Sequence, residues 1–223
     1  MAGLLYLIFI ATCALSIHIQ SSFVVDGNAA ETARNIVASE WLFRIGFLGE
    51  LVSAVFFFLS AWALYVLLEP ANKSFALLFL LLNLGGVATE CINMLNQFAA
   101  LLLLNGADYL KVFQADQLQA LAMLFLKLHS NGFMIAQIFY GTWLFPLGYL
   151  VFKSGFLPRV LGILLIIDCF AVLTWFFQSF LFPGYSIISY PCLVESFIAE
   201  FSFSLWLLIK GVKEQKPALV EAS

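Results

Sequence analysis

Six long, mostly apolar runs dominate the chain, at 3–20, 43–68, 74–104, 118–152, 156–182 and 190–210. Each approaches or exceeds the roughly 20 residues that a helix needs to cross the hydrocarbon core of a bilayer. The pattern therefore predicts an all-α, polytopic membrane bundle of six transmembrane helices. Polar breaks set the cuts. Glu69-Pro70-Ala71-Asn72-Lys73 separates the second and third runs with a helix-stopping proline. Gly155 and Pro158 lie between the fourth and fifth, and Phe182-Pro183-Gly184-Tyr185 reads as a turn. Between the first two runs, residues 26–39 place alanines and apolar residues at helical spacing, which predicts a short surface helix. The third and fourth runs are longer than a bilayer is thick, reaching about 45–50 Å at 1.5 Å per residue. Their excess should project outward as a hairpin around Asn105-Gly106-Ala107-Asp108, leaving Lys127 and His129 near the outer interface.

Composition agrees with that class and narrows it. Hydrophobic residues make up 63% of the 223 positions and charged residues 10%, with a mean hydropathy of +1.02. Soluble domains carry about a quarter charged residues, so a water-soluble fold is excluded. One bundle over 1–212 uses nearly the whole chain, and 213–223 is expected to form a disordered cytoplasmic tail. The first run has no basic leader and no small-x-small cleavage site, so it is read as a retained span. Lys73, Lys153, Arg159 and Lys210 gather at one face, while the other carries longer segments rich in acids. By the positive-inside rule both termini are then cytoplasmic. A net charge of −3 without a basic stripe argues against nucleic acid as a partner. Cys13, Cys91, Cys169 and Cys192 lie in or beside apolar runs without CxxC spacing, and they read as small buried hydrophobes.

One stretch is distinctive. Gly148-Tyr149-Leu150-Val151-Phe152-Lys153-Ser154-Gly155-Phe156-Leu157-Pro158-Arg159-Val160-Leu161-Gly162, with the ending Ala199-Glu200-Phe201-Ser202 through Gly211, resembles a bacterial membrane family known as domain of unknown function 4386. The stretch from Asn105 to His129 is similar too, so the resemblance covers nearly the whole chain. It implies a six-helix integral protein of a bacterial cytoplasmic (plasma) membrane. It brings no activity, cofactor or catalytic residue with it.

Function has to be sought in the polar groups inside the apolar runs, because an ionisable residue within a bilayer is costly. In the third run, Asn83, Gly86, Glu90, Asn93 and Gln97 follow seven-, three- and four-residue steps and share one helix face. Such a stripe must face other helices or a water-filled cavity. Ser196, Glu200 and Ser204 repeat the theme in the sixth run, and Asp168 lies near the centre of the fifth. By position, Glu90, Asp168 and Glu200 fall at mid-depth, with Glu50, Glu195 and His129 nearer the outside. Glu40 and Arg44 read as a surface ion pair. No Lys or Arg reaches the central depth. A carboxyl buried without a cationic partner favours its neutral form, unless it takes its counter-charge from outside the sequence.

The candidate polar pocket is therefore Glu90, Asn93, Gln97, His129, Asp168 and Glu200, opening outward between the third, fourth, fifth and sixth spans. Two readings stay open for it: hydrogen-bonded glue between helices, or a binding site. No metal-ligand motif is present. Two histidines cannot supply a three-His zinc site, and there is no Glu-x-x-His, although mixed His and carboxylate ligation stays open. Nor is there Gly-x-Ser-x-Gly, a P-loop or a dinucleotide fingerprint. The first expectation is a binding or transport-type protein holding a proton, cation or small molecule in the bilayer, with a homo-oligomer as partner state. The alternatives are a membrane-embedded enzyme acting on a lipid-like substrate and a structural or partner-binding membrane subunit.

Overall fold

The computed structural model describes residues 1–211, and the tail expected over 213–223 lies outside them. Among the described residues there are seven α-helices: α1 (Ala2–Ser21), α2 (Ala29–Ala38), α3 (Glu40–Leu68), α4 (Lys73–Leu104), α5 (Ala115–Lys153), α6 (Arg159–Leu181) and α7 (Ser189–Ile209). All but α2 are long and apolar enough to cross a membrane, so the chain has the architecture of a multi-pass helical membrane protein.

Local chemistry fixes the helix starts. The Asn28 side chain accepts from the Glu31 N–H at 3.0 Å and donates to the Glu31 carboxylate at 2.8 Å, closing the first turn of α2. Asn72 caps α4 by accepting from the Phe75 N–H. Gln114 and Gln117 form a reciprocal cap that starts α5 at Ala115, three residues before its apolar run begins. Gly155, at φ +74°, and Pro158 hold the next link as a loop, so α6 starts at Arg159 rather than at 156. The predicted hairpin tip is a short 3-10 turn at Asp108–Leu110 between α4 and α5.

The six spans close into a ring in chain order: α1 on α3, α3 on α4, α4 on α5, α5 on α6, α6 on α7, and α7 back on α1. Glycines set the closest crossings. A Cβ on Gly148 would lie 2.7 Å from the carbonyl oxygen of Gly162, and one on Gly162 would lie 2.6 Å from that of Gly148. The nearest atom on each side is a backbone oxygen, which cannot turn aside as a side chain can. Gly148→Leu should therefore separate α5 from α6 and lower stability by about 1–3 kcal/mol or more. A thermal melt of the variant in detergent or nanodiscs checks this, and an unchanged Tm would contradict the crossing.

Two apolar clusters stack inside the ring. At the end that carries Met1 and Gly211, Tyr6, Phe57, Phe79, Trp143 and Phe203 are buried and joined by ring contacts. At the other end, Phe23, Phe43, Leu101 and Leu126 pack beneath Ile36 of α2. A cavity with largely apolar walls and a few polar side chains lies between them.

Candidate functional site

The floor and walls of this cavity come from helix faces that periodicity alone explains. On α3, Glu50, Ser53, Ala54 and Phe57 follow the i, i+3, i+4, i+7 spacing of one face, and all four line the cavity. On α4 the stripe Asn83, Gly86, Glu90, Asn93 and Gln97 is buried throughout. Glu90 alone of that stripe lines the cavity. α5 adds His129 and Tyr140, α1 adds Phe9 and Gln20, and α7 adds Glu200. The volume is about 530 Å³.

Small residues draw the polar groups together. Gly46 and Gly49 on α3 leave room for α1: a Cβ on Gly46 would lie 3.2 Å from Gln20 Cγ, and one on Gly49 would collide with Ser16 Oγ. That approach sets the Gln20 amide against Glu50, to which it donates a hydrogen bond. Between α4 and α5 the exchange is reciprocal. Gly86 makes room for the Tyr140 ring, and Gly132 makes room for the Asn93 amide. Asn93 is thereby pressed against the turn holding His129.

The result is one compact group. His129 Nε2 lies 3.4 Å from Glu50 Oε1, and each of these side chains is only 13% exposed. One ligand atom each from Glu50, Glu90 and His129 falls within 4.8 Å of the others. Asn93 Nδ2 donates to the His129 carbonyl at 2.8 Å and stands 3.3 Å from His129 Nδ1. Asn96 donates to Asn93 Oδ1 at 3.2 Å, which orients the amide. Glu90 is 95% buried, being 5% exposed. Both of its oxygens are buried, and among the described residues neither has a hydrogen-bond partner. An unsatisfied buried carboxyl is expensive, and native structures contain few of them.

The six sequence-predicted residues thus divide. Glu90 and His129 meet at the site, Asn93 supports His129 from behind, and Glu200 lines the same cavity on α7. Gln97 is buried on α4 away from the lining, with no partner among the described residues. Asp168 is fully buried on α6, does not line the cavity, and has no hydrogen-bond partner among the described residues. The pocket accordingly sits between α1, α3, α4, α5 and α7, not between the third to sixth spans. α6 packs on α5 and α7 and leaves the lining to α1 and α3. The expected separation in depth also disappears, since Glu50, Glu90 and His129 share one level. Glu50 and Gln20 join the site from outside the predicted set, through the Gly46/Gly49 contact with α1.

At the mouth, Asp26 of the α1–α2 link pairs with Lys127 of α5 at 2.6 Å, and both line the cavity. Lys127 holds the Asp26 carboxyl below its ordinary value by a charged hydrogen bond. A lowered carboxyl keeps its pair at every pH above the usual aspartate range and loses it only as pH falls through the lowered value. The pair therefore persists at neutral pH. It is solvent-exposed, so salt screens it. His18 is exposed near the same end of α1.

Comparison with known proteins now adds the family. Residues 1–211 match the profile described as Domain of unknown function (DUF4386), in agreement with the resemblance carried by the Lys153–Arg159 loop. An uncharacterized protein of Archaeoglobus fulgidus is 29% identical over 156 residues, which span 69% of this chain and 75% of that relative. No solved structure matches the chain.

Proposed function

This chain belongs to the family described as Domain of unknown function (DUF4386), and from its central cavity we propose a binding protein of the transport type that holds a cation. The observation that carries the reading is Glu90. Its carboxyl is buried, lacks a partner among the described residues, and faces a second carboxyl and an imidazole across a cavity. Among the lining residues the one Lys or Arg is Lys127, which is engaged by Asp26 at the mouth. A cation entering from the α2 end would supply the missing counter-charge. The aromatic cluster of Tyr6, Phe57 and Trp143 closes the opposite end.

The proposal includes a setting. The protein lies in a bacterial cytoplasmic membrane, with both termini in the cytoplasm and the mouth facing outward, and it works as a homo-oligomer. Lipid surrounds the ring. A reporter fused at Asn105 should report the outside and one at Gly155 the cytoplasm. The reverse pattern would turn the cavity inward. Native mass spectrometry of the purified protein gives the number of copies.

Cation binding is tested by thermal stability of the full chain against a panel of alkali, divalent and quaternary ammonium ions. At least one class should raise the Tm in a saturable way, as linkage requires. No response to any of them would end the reading.

The mouth pair offers a kinetic check. Lys127→Ala leaves Asp26 to attract cations and should speed their entry, while Asp26→Asn leaves Lys127 to repel them and should slow it. Stopped-flow binding at low and high salt reads the difference. If both variants speed entry alike, the pair acts as a latch and steering plays no part.

A second reading rests on the walls. Phe9, Phe43, Phe57, Leu126 and Phe133 make them largely apolar, which suits a hydrocarbon body with its polar end at Glu50 and His129. A membrane-embedded enzyme acting on a lipid-like substrate would use the same group. Co-purified lipid, altered on incubation by the parent protein and unaltered by Glu50→Gln, would favour it over the first.

A further inference from the structure

We infer that Glu50, Glu90 and His129 form a binding site for a first-row divalent transition metal ion. This rests on the reading that the cavity takes a cation and specifies which one. Three features separate such an ion from a proton, an alkali ion or an organic ammonium.

The first is ligand chemistry. One imidazole and two carboxylates make a mixed N/O set, suited to Zn²⁺, Mn²⁺ or Fe²⁺; alkali ions prefer oxygen cages, and organic ammonium groups prefer aromatic or purely anionic surroundings. Two carboxylates and a neutral imidazole also balance the charge of a divalent ion, leaving a neutral site inside the bilayer.

The second is spacing. Ligand atoms about 2.1 Å from a tetrahedral ion stand about 3.4 Å apart. His129 Nε2 and Glu50 Oε1 are already 3.4 Å apart. Glu90 has to swing in from within 4.8 Å, and no hydrogen bond among the described residues restrains it.

The third is support from behind. Gln20 donates to the second oxygen of Glu50, and Asn93 adjoins the His129 ring. Groups of this kind orient metal ligands. With three protein ligands on one wall, the remaining coordination positions face the cavity. That is the arrangement of sites that pass an ion on or act on a bound molecule, in contrast to closed structural sites.

The tautomer must change on binding. With Asn93 Nδ2 against Nδ1, the neutral ring carries its hydrogen on Nε2, directed at Glu50. A metal ion takes the Nε2 lone pair, so the hydrogen moves to Nδ1. To accept it through Oδ1 the Asn93 amide has to turn, giving up its bonds to the His129 carbonyl and to Asn96. Asn93 is in this sense a positioning residue.

The experiment uses the full chain, purified in detergent, stripped with a chelator and titrated with Zn²⁺ and Mn²⁺ by calorimetry. Sodium and tetramethylammonium serve as comparison ions, and bound metal is counted by mass spectrometry. One ion per chain is expected, with one nitrogen and two carboxylate ligands visible by X-ray absorption. Glu50→Gln, Glu90→Gln and His129→Gln should each weaken binding by at least about tenfold, given that loss of even an outer-shell partner costs 10–100-fold. Glu195→Gln, on the α6–α7 side, should leave it unchanged and controls for folding. Metal binding indifferent to all three ligand variants would overturn the site. Stabilisation by tetramethylammonium or sodium without binding of Zn²⁺ or Mn²⁺ would overturn this inference and leave the cation-binding reading standing. No response to any ion would remove both.

Discussion

Glu90→Gln should leave the fold intact and abolish the stabilisation that cations confer. The amide keeps the shape of the side chain and removes its charge, so the cost to the cation-free protein should be about 1 kcal/mol or less. Glu90→Leu separates the two roles more sharply. If the α4 stripe were hydrogen-bonded glue, Leu would strip partners from Asn83, Asn93 and Gln97. The structure gives Glu90 no such bonds: among the described residues its oxygens have no partner, Asn83 and Gln97 are equally unpartnered, and Asn93 is engaged by His129 and Asn96. Leu therefore removes a buried polar group that nothing satisfies. The cation-free protein should be as stable as the parent, or more stable by about 1 kcal/mol. Both variants should be blind to cations. Melts with and without the active ion check this. A loss of several kcal/mol in Glu90→Leu would mean that Glu90 holds the bundle together, and the site reading would fail with it.

That reversal shows where sequence reasoning stopped. The helices were legible because each apolar run is long and each break carries its own chemistry, such as the Asn72 cap or the Gly155 and Pro158 link. Even the surface helix over Ala29–Ala38 could be read, from alanines and apolar residues at helical spacing, of which Ala33 and Ile36 are buried. Periodicity also showed that the α4 stripe faces inward. It carries no information on which helix stands opposite. Glu50 and His129 looked peripheral beside Glu90 because depth was counted from the ends of the runs, whereas their ligand atoms and that of Glu90 lie within 4.8 Å of one another. A signal for Glu50 did exist. Gly46, Gly49, Ser53 and Ala54 form a band of small residues on α3, and such bands mark close helix contacts in membranes. Following that band to Ser16 and Gln20 of α1 would have drawn Glu50 inward. Asp168 was grouped with Glu90 on depth alone, and ring order separates them: α6 packs on α5 and α7, so its residues stay out of the cavity lining.

Trp143→Ala should have the largest effect on stability of any single change, and it should also alter which side of the membrane the cavity reaches. Trp143 is fully buried at the centre of the aromatic cluster, with ring centroids 5.1 Å from Phe57, 6.1 Å from Phe79 and 6.4 Å from Tyr6. Those rings come from α3, α4 and α1, so the indole ties four of the six spans together. Its removal leaves a void that rigid neighbouring rings cannot fill, at a cost of about 3–5 kcal/mol. Trp143→Phe keeps an aromatic ring there and should cost less than half as much. The void would lie between the 530 Å³ cavity and the end of the ring that carries Met1 and Gly211. In a transport-type protein that cluster is the barrier on the closed side. Liposomes holding Trp143→Phe should therefore retain an ion gradient as the parent does, while any Trp143→Ala that survives reconstitution should leak it. A tight Trp143→Ala protein, destabilised but impermeable, would show that the cluster only holds the helices together and that the barrier lies elsewhere.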